Sequence, residues 1–284
     1  MRGLIIKLIG GLYTVKVENE LVECKARGKF RHLNQSPKVG DLVELNDDFI
    51  MEIEDRKNDL ARPPISNVDQ VILVFSATQP KISYSLLDRF IALITYNNIN
   101  TVLVVTKIDL LSEDELSSLK EELRYYDSVL DIVYTASLNK SGTEDVAKLF
   151  KDKISVLAGQ SGVGKSTLLN SIAGLDIKTQ EISKALGRGK HTTRHIELIE
   201  IEGGLVADTA GFSSLDFDDM DEVALSHSFS DFFELSHDCK FRGCLHLNEP
   251  KCKVKKLVDE GEIPASRYDN YVYFIEEIRS NKRY

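Results

Sequence analysis

Gly159, Gly164, Lys165 and Ser166 stand at the spacing G-x-x-x-x-G-K-S within "GQSGVGKSTLLN". Such a stretch grips phosphate. Glycines let the backbone curl until its N–H groups converge on an anion, and the lysine adds a point charge at the β/γ-phosphates. The serine hydroxyl ligates Mg²⁺, and a helix starting there aims the positive end of its dipole at the anion. The run Gly159, Gln160, Ser161, Gly162, Val163, Gly164, Lys165, Ser166 and Thr167 is therefore the candidate phosphate loop. Downstream, Asp208 and Gly211 in "DTAG" suit a Mg²⁺-water holder and a γ-phosphate sensor. Between the two motifs, "GRGKHTTRH" carries Thr192 and Thr193. One of these hydroxyls completes the Mg²⁺ shell, and Thr193 is the favoured one.

A second set of residues lies upstream. "TKID" places Thr106, Lys107 and Asp109 at the end of an apolar run, and "TAS" places Thr135, Ala136 and Ser137 at the end of the next. A buried carboxylate at Asp109 accepts hydrogen bonds from guanine N1–H and N2–H₂. Adenine lacks that donor pair, so ATP would leave the carboxylate unmatched. The second loop offers a backbone N–H to guanine O6. These parts make a site for GTP and GDP in which base recognition precedes phosphate recognition. The strands need not change; the same sheet is joined in a rotated order, because only connections differ. The segment after Gly211 then feeds directly into the C-terminal module.

Three of the four cysteines fall between Cys239 and Cys252. With His246 they read C-x₄-C-x-H-x₅-C, where Cys239, Cys244, His246 and Cys252 supply three thiolates and an imidazole. That set suits one tetrahedral, structural Zn²⁺ with no open position. The competing reading is reduced, partly buried thiols with an incidental histidine. Cys24 reads as a small barrel residue, and neighbouring His237 as no ligand.

The elements that must position these residues change character along the chain. Residues 1–62 show alternation broken by Gly10, Gly11 and Asn19, which predicts about five short strands in a small OB-like barrel, with an SH3-like barrel as the competitor. Pro63 and Pro64 punctuate the chain. Over 63–214, "VDQVILVFSA", "NTVLVVTKIDL", "DIVYTAS" and "KISVLAG" are buried strands. They alternate with helical stretches, one opened by the Ser112/Glu115 capping-box spacing. "HIELIEIEGGLVADTAG" reads as two strands around Gly203-Gly204. The prediction is a doubly wound α/β sheet. Residues 215–284 turn helical and cysteine-bearing. The net charge of -9 excludes a generally cationic nucleic-acid coat. No apolar run approaches the ~18 residues of a bilayer span, and Lys7 interrupts the first apolar stretch, so the expectation is a soluble, cytoplasmic chain without a signal peptide.

The chain resembles the circularly permuted GTPases of the RsgA type, which act on the small ribosomal subunit. The resemblance runs through "CKARGKFR", "TKID", "GQSGVGKSTLLN", "GRGKHTTRH", "DTAGF" and "CKFRGCLHLNEPKCKVKKLVDEGEIPASRYDNY". It implies an N-terminal OB-like barrel, a permuted P-loop GTPase domain and a C-terminal zinc-binding helical module. It also implies late maturation of the small subunit, rRNA contact and, here, a monomer without a membrane partner. Thr106 stands where GTPases usually carry Asn, which predicts looser nucleotide binding. Phe212 stands where many GTPases carry a water-orienting Gln, which predicts slow intrinsic hydrolysis that a partner accelerates. His191 is the candidate replacement; the alternative is that it touches only RNA or solvent.

Two cationic stretches suit RNA. Lys25, Arg27, Lys29, Arg31, His32 and Lys38 occur without an acid between Glu23 and Asp41, with Phe30 as the expected stacking aromatic. Lys178, Lys184, Arg188, Lys190 and Arg194 face only Glu181. Two other functional readings fit parts of this pattern: a GTP switch acting on a protein partner, and an RNA-binding scaffold whose nucleotide is structural.

Overall fold

This computed structural model describes residues 1–32, 35–136, 141–173, 196–208 and 215–281, apart from the side chains of Arg31, His32 and Asp208. Five strands open the chain: β1 (Arg2–Ile9), β2 (Leu12–Val17), β3 (Glu20–Ala26), β4 (Leu42–Asn46) and β5 (Phe49–Ile53). They run in the order β1-β2-β3-β5-β4, and β4 returns to β1, closing a barrel. Gly10 and Gly11 sit between β1 and β2 with φ of 56° and 84°. Two successive positive φ values make the primed turn whose twist suits a two-residue hairpin. Alternation puts Ile5, Val15, Cys24, Val43 and Ile50 inside. Burial pushes the Cys24 thiol up to about 11, as befits an inert core residue.

The chain stays tied to the barrel past Pro64. Asp41 is fully buried, receives Nε and Nη2 of Arg56 at 2.7 Å each, and accepts from the Ser66 hydroxyl. Ser66 N donates to Val39 O.

The second sheet contains β6 (Gln70–Ser76), β7 (Asn100–Thr106), β8 (Asp131–Tyr134), β9 (Ile154–Ala158), β11 (Ile199–Ile201) and β12 (Gly204–Asp208). Its order is β11-β12-β9-β6-β7-β8, parallel throughout except for the β11–β12 hairpin. The apolar runs are central strands buried on both faces: Val71, Ile72, Leu73 and Val74 are all fully buried. Gly204 is required where β12 begins, since a Cβ there would lie 1.7 Å from Phe150 O. The crossovers are α2 (Tyr84–Tyr96), α3 (Glu113–Leu123), α4 (Thr143–Phe150) and α5 (Lys165–Ala173), after a single turn α1 (Lys29–His32) inside the barrel sequence. The Ser112/Glu115 capping box forms at α3.

One segment divides differently from expectation. "HIELIEIE" does not enter the second sheet whole. Ile196–Glu197 forms β10 on the barrel's β1, and only Ile199–Ile201 pairs with β12.

The C-terminal module comprises α6 (Glu222–Ser228), α7 (Ser230–Ser236), α8 (Lys253–Asp259) and α9 (Ala265–Asn281). Phe217, Phe229, Phe232, Tyr271 and Phe274 form its core, which reaches Ala92 and Leu93 of α2. Arg267 is fully buried at this junction. It pairs with Asp88 of α2 and with both Asp231 oxygens, while Tyr126, Asn270 and Tyr125 complete the carboxylates. A charge is tolerated there only because every partner is present. Arg267→Met is expected to cost about 3–5 kcal/mol in urea unfolding, because it leaves two carboxylates uncompensated. An unchanged urea midpoint would refute that role.

Candidate nucleotide site and cysteine–histidine cluster

In a parallel sheet all carboxyl ends lie along one edge, and ligands sit in the crevice outside that edge. The four nucleotide motifs follow the carboxyl ends of β9, β12, β7 and β8. β9 lies between β12 and β6, and β6 adjoins β7, so the phosphate and base motifs are neighbours although 53 positions separate Thr106 from Gly159.

The phosphate loop leaves β9 at Gly159 with φ of 133°, where a Cβ would stand 2.1 Å from Val74 O. Gly162 and Gly164 also have positive φ, and a Cβ on Gly162 would meet nothing within 4 Å, so the loop is open there. Val163 plugs the loop into the core. Lys165 opens α5 and is buried; its ammonium donates to Gly159 O and Gln160 O, both at 2.7 Å. The cation is thus held at the mouth of the loop. The Gln160 Oε1 is buried there with no hydrogen-bond partner. Ser166 is half-buried and Thr167 exposed, in the first turn of α5. A cation at a helix start, curled amides and an open glycine face fit a phosphate chain.

The base motif is fastened to this loop. Thr106 is buried, and its hydroxyl lies 2.5 Å from Val163 O and 3.1 Å from Phe75 O. Lys107, in the left-handed region at φ 61°, donates from Nζ to Gly162 O at 2.7 Å and Gln79 O at 2.6 Å. Threonine therefore supplies the tie for which Asn was expected, and the ground for predicting looser binding falls away. Asp109 differs from expectation in another respect. It is exposed, in the turn Ile108–Leu110, not a buried carboxylate. A turn directly after a strand end lies at the rim, where this carboxylate is open to water. Thr135 is buried, and its N–H and that of Ala136 are committed to Val105 O and Ser141 O. Ser137 lies outside the described residues, as do His191, Thr192, Thr193, Gly211, Phe212 and the whole stretch from Lys178 to Arg194. The Asp208 backbone pairs in parallel with Leu157, beside the strand that leads into the phosphate loop.

The second constellation assembles as its spacing implies. Ligand atoms of Cys239, Cys244, His246 and Cys252 all lie within 4.8 Å of one another. Cys239 Sγ and Cys252 Sγ are 4.0 Å apart, and His246 Nδ1 is 3.8 and 3.3 Å from them. Ligands at zinc's bond lengths of about 2.0–2.3 Å in a tetrahedron stand about 3.3–3.8 Å apart, so a cage slightly wider than that is compatible with the ion. Burial pushes the Cys244 thiol up to about 12 and holds His246 below its usual range. Burial thus favours the neutral imidazole, the form that ligates metal, and opposes ionisation of the Cys244 thiol unless a cation is beside it. Backbone N–H groups of Lys253 and Lys255 point at Cys239 Sγ and Cys252 Sγ, at 3.3 and 3.5 Å. Glu249 holds the loop by accepting from Leu245 N and Leu247 N, and Tyr268 and Tyr271 donate to His246 O and Leu245 O. His237 meets Phe233 edge-on, with ring centroids 5.6 Å apart, outside the cluster.

The cationic surfaces need one correction. Phe30 is only 4% exposed, its ring packed inward under the Lys29 ammonium, so it cannot stack on a base. Lys25, Arg27 and Lys29 are exposed, whereas Lys38 is engaged by Asp59. Sequence reasoning missed a third surface. Between Asp238 and Asp259 stand Lys240, Arg242, Lys251, Lys253, Lys255 and Lys256 against Glu249 alone, and Glu249 is turned onto loop amides. Phe241 is 43% exposed among them. The charge count was available in the sequence but was masked by the cysteines it surrounds.

The RsgA GTPase family matches residues 53–218, and the RsgA N-terminal domain matches residues 2–49. The chain is 49% identical over 289 residues to a protein of Halalkalibacterium halodurans named small ribosomal subunit biogenesis GTPase RsgA, covering 99% of this chain and 98% of that one. A Bacillus subtilis protein of the same name is 49% identical over 294 residues, with the same coverage. Among solved structures, YloQ, described as a circularly permuted GTPase, superposes with a TM-score of 0.83 at 43% identity, covering 99% of this chain and 95% of that chain. YjeQ from Thermotoga maritima superposes at 0.84 with 38% identity, covering 98% of each. Among the described residues no helix is long and apolar enough to cross a membrane. With both family segments matched in order, and near-half identity along almost its whole length, the chain belongs to the RsgA family of circularly permuted GTPases.

Proposed function

We propose that this chain is a cytoplasmic, monomeric GTPase that docks on the small ribosomal subunit through rRNA, assists its late maturation, and leaves after hydrolysing GTP to GDP and phosphate. The observation that carries the reading is the fastening of Thr106 and Lys107 to the Val163 and Gly162 carbonyls, which holds the two loops side by side. The relatives' printed name supports the subunit as partner.

In this reading Asp109 takes guanine N1–H and N2–H₂, with the loop at Thr135, Ala136 and Ser137 closing the far side of the base. Lys165 moves from the loop carbonyls to the β/γ-phosphates, and the amides of residues 159–167 cradle the chain. Ser166 and Thr193 hold Mg²⁺, which when bound neutralises charge developing between the β- and γ-phosphates. Asp208 and Gly211 report the γ-phosphate. Phe212 cannot orient water, so intrinsic turnover is slow and His191 takes that role on the subunit. Cys239, Cys244, His246 and Cys252 hold one structural Zn²⁺. The modules are 1–62, 63–214 and 215–284. Exposed Lys25, Arg27 and Lys29, and the strip from Lys240 to Lys256 with Phe241, face rRNA; the acidic remainder keeps that contact local and salt-sensitive.

The test is turnover of GTP and of ATP with and without purified small subunits. Strong stimulation with GTP alone is expected; equal ATP turnover, or none of the stimulation, would sink the reading. Asp109→Asn supplies a donor where guanine also donates. It should weaken GTP about 10–100-fold, the worth of a hydrogen bond to a charged group. It should improve xanthosine triphosphate, whose 2-oxo group accepts. Titration of both nucleotides decides it.

A further inference from the structure

Residues 196–201 belong to two sheets at once. Ile196 and Glu197 pair with Leu8 and Lys7 of the barrel, Leu198 N donates to Ile6 O at 2.8 Å, and Ile199–Ile201 then pair with β12. Leu198, at the crossing point, is 3% exposed and packed in the core that contains barrel and sheet residues together. Two ion pairs straddle the junction: Lys7 Nζ to Glu197 Oε1 at 3.0 Å and Lys16 Nζ to Glu200 Oε2 at 2.7 Å. In sequence, Thr193 stands three positions before Ile196. Ile199 pairs with Val206, two positions before Asp208, so the strand beside that end of β12 is anchored at Glu197 on a barrel strand, 190 positions away at the Lys7–Glu197 pair.

A two-residue strand has little register of its own. In any pleated pair a slip of one residue turns every side chain to the other face. Here backbone bonds to β1 give the strand its place, and the Lys7–Glu197 pair distinguishes the observed register from its neighbours. Whatever shifts the barrel against the sheet shifts this anchor.

We infer that Lys7 and Glu197 are positioning residues for GTP hydrolysis, and that a partner bound to the barrel acts on the nucleotide site through the shared strand Ile196–Ile201. This rests on the reading of the chain as a subunit-stimulated GTPase. The pair is half-buried, with side-chain exposures of 32% and 25%, so reversing one charge sets like charges face to face across a ladder.

The experiment uses the full chain with Lys7→Glu, Glu197→Lys and both together. It measures kcat and KM for GTP with and without small subunits, and subunit affinity by sedimentation. Each single reversal is expected to lower the ratio of stimulated to intrinsic kcat about 5–10-fold. KM for GTP should stay near wild type, because base and phosphate contacts lie elsewhere. The double reversal should recover the ratio. Glu197→Gln, which preserves side-chain shape, should lower it about two- to threefold, which keeps the test open if a reversal fails to fold. An unchanged ratio in the single variants would overturn the inference. So would a loss confined to subunit affinity, or a double reversal no better than its parents, since Lys7 would then be touching RNA itself. Wild-type protein without stimulation would instead overturn the reading beneath the inference, and the inference with it.

Discussion

Lys165→Ala is expected to lower subunit-stimulated GTP turnover by about 10²–10³-fold, the usual cost of removing one preorganised group that meets charge in the transition state. The side chain is 7% exposed, so its charge acts in a site largely shielded from water. Its ammonium is held by the Gly159 and Gln160 carbonyls at the mouth of the loop, from which it turns to the phosphates. The loop amides and the α5 terminus persist in the variant, and GTP affinity should fall less than kcat. Single-turnover hydrolysis with nucleotide affinity measured in parallel checks this. Wild-type turnover from a folded Lys165→Ala protein would remove the phosphate loop from the reaction and leave only a structural nucleotide.

The second large effect concerns the cysteine–histidine cage. Cys252→Ala, or a strong chelator, is expected to cost several kcal/mol, out of the roughly 10–16 kcal/mol of apparent metal affinity seen in zinc-dependent folds. The module has an aromatic core and the Arg267 network to fall back on, so the loss should be partial, with a fall in Tm on the order of 10–20 °C. Cys252 matters twice over, since it also caps α8 through Lys255 N. His237→Ala is the control: it neighbours the cage without contributing to it and should leave Tm within a few degrees. Metal analysis should find one zinc per chain. A protein that purifies without metal, and melts identically with chelator, would contradict the assignment.

Much of this was legible because the chemistry is local. Continuous apolar runs named the strands buried on both faces, and the glycine and cysteine spacings marked the loop after β9 and the four residues that cluster. What stayed hidden depended on distant partners. In "IELIEIE" the alternation breaks at Leu198-Ile199, yet a break in period does not say that the two residues before it join one sheet and three after it another. Phe30 is flanked by cations and reads as exposed, yet its ring turns into the barrel. Asp109 ends an apolar run and reads as buried, although the following turn carries it to the rim. Arg267 sits in a tyrosine-rich helix and reads as surface, because its partners are 36 and 179 positions away. Thr106 was judged by the residue it replaces, whereas its hydroxyl reaches the carbonyl that matters.

The rotated strand order also sets a schedule for biosynthesis. A chain emerging amino end first delivers β6, β7 and β8 with the turns that follow them, while the middle position beside β6 waits for β9, whose first residue is Ile154. Until then the freshly made half-sheet exposes one flank of β6 and carries no lysine to hold triphosphate. On the proposed reading, nucleotide binds only after Lys165 is made, and a ligand of the finished fold adds nothing to the stages before it.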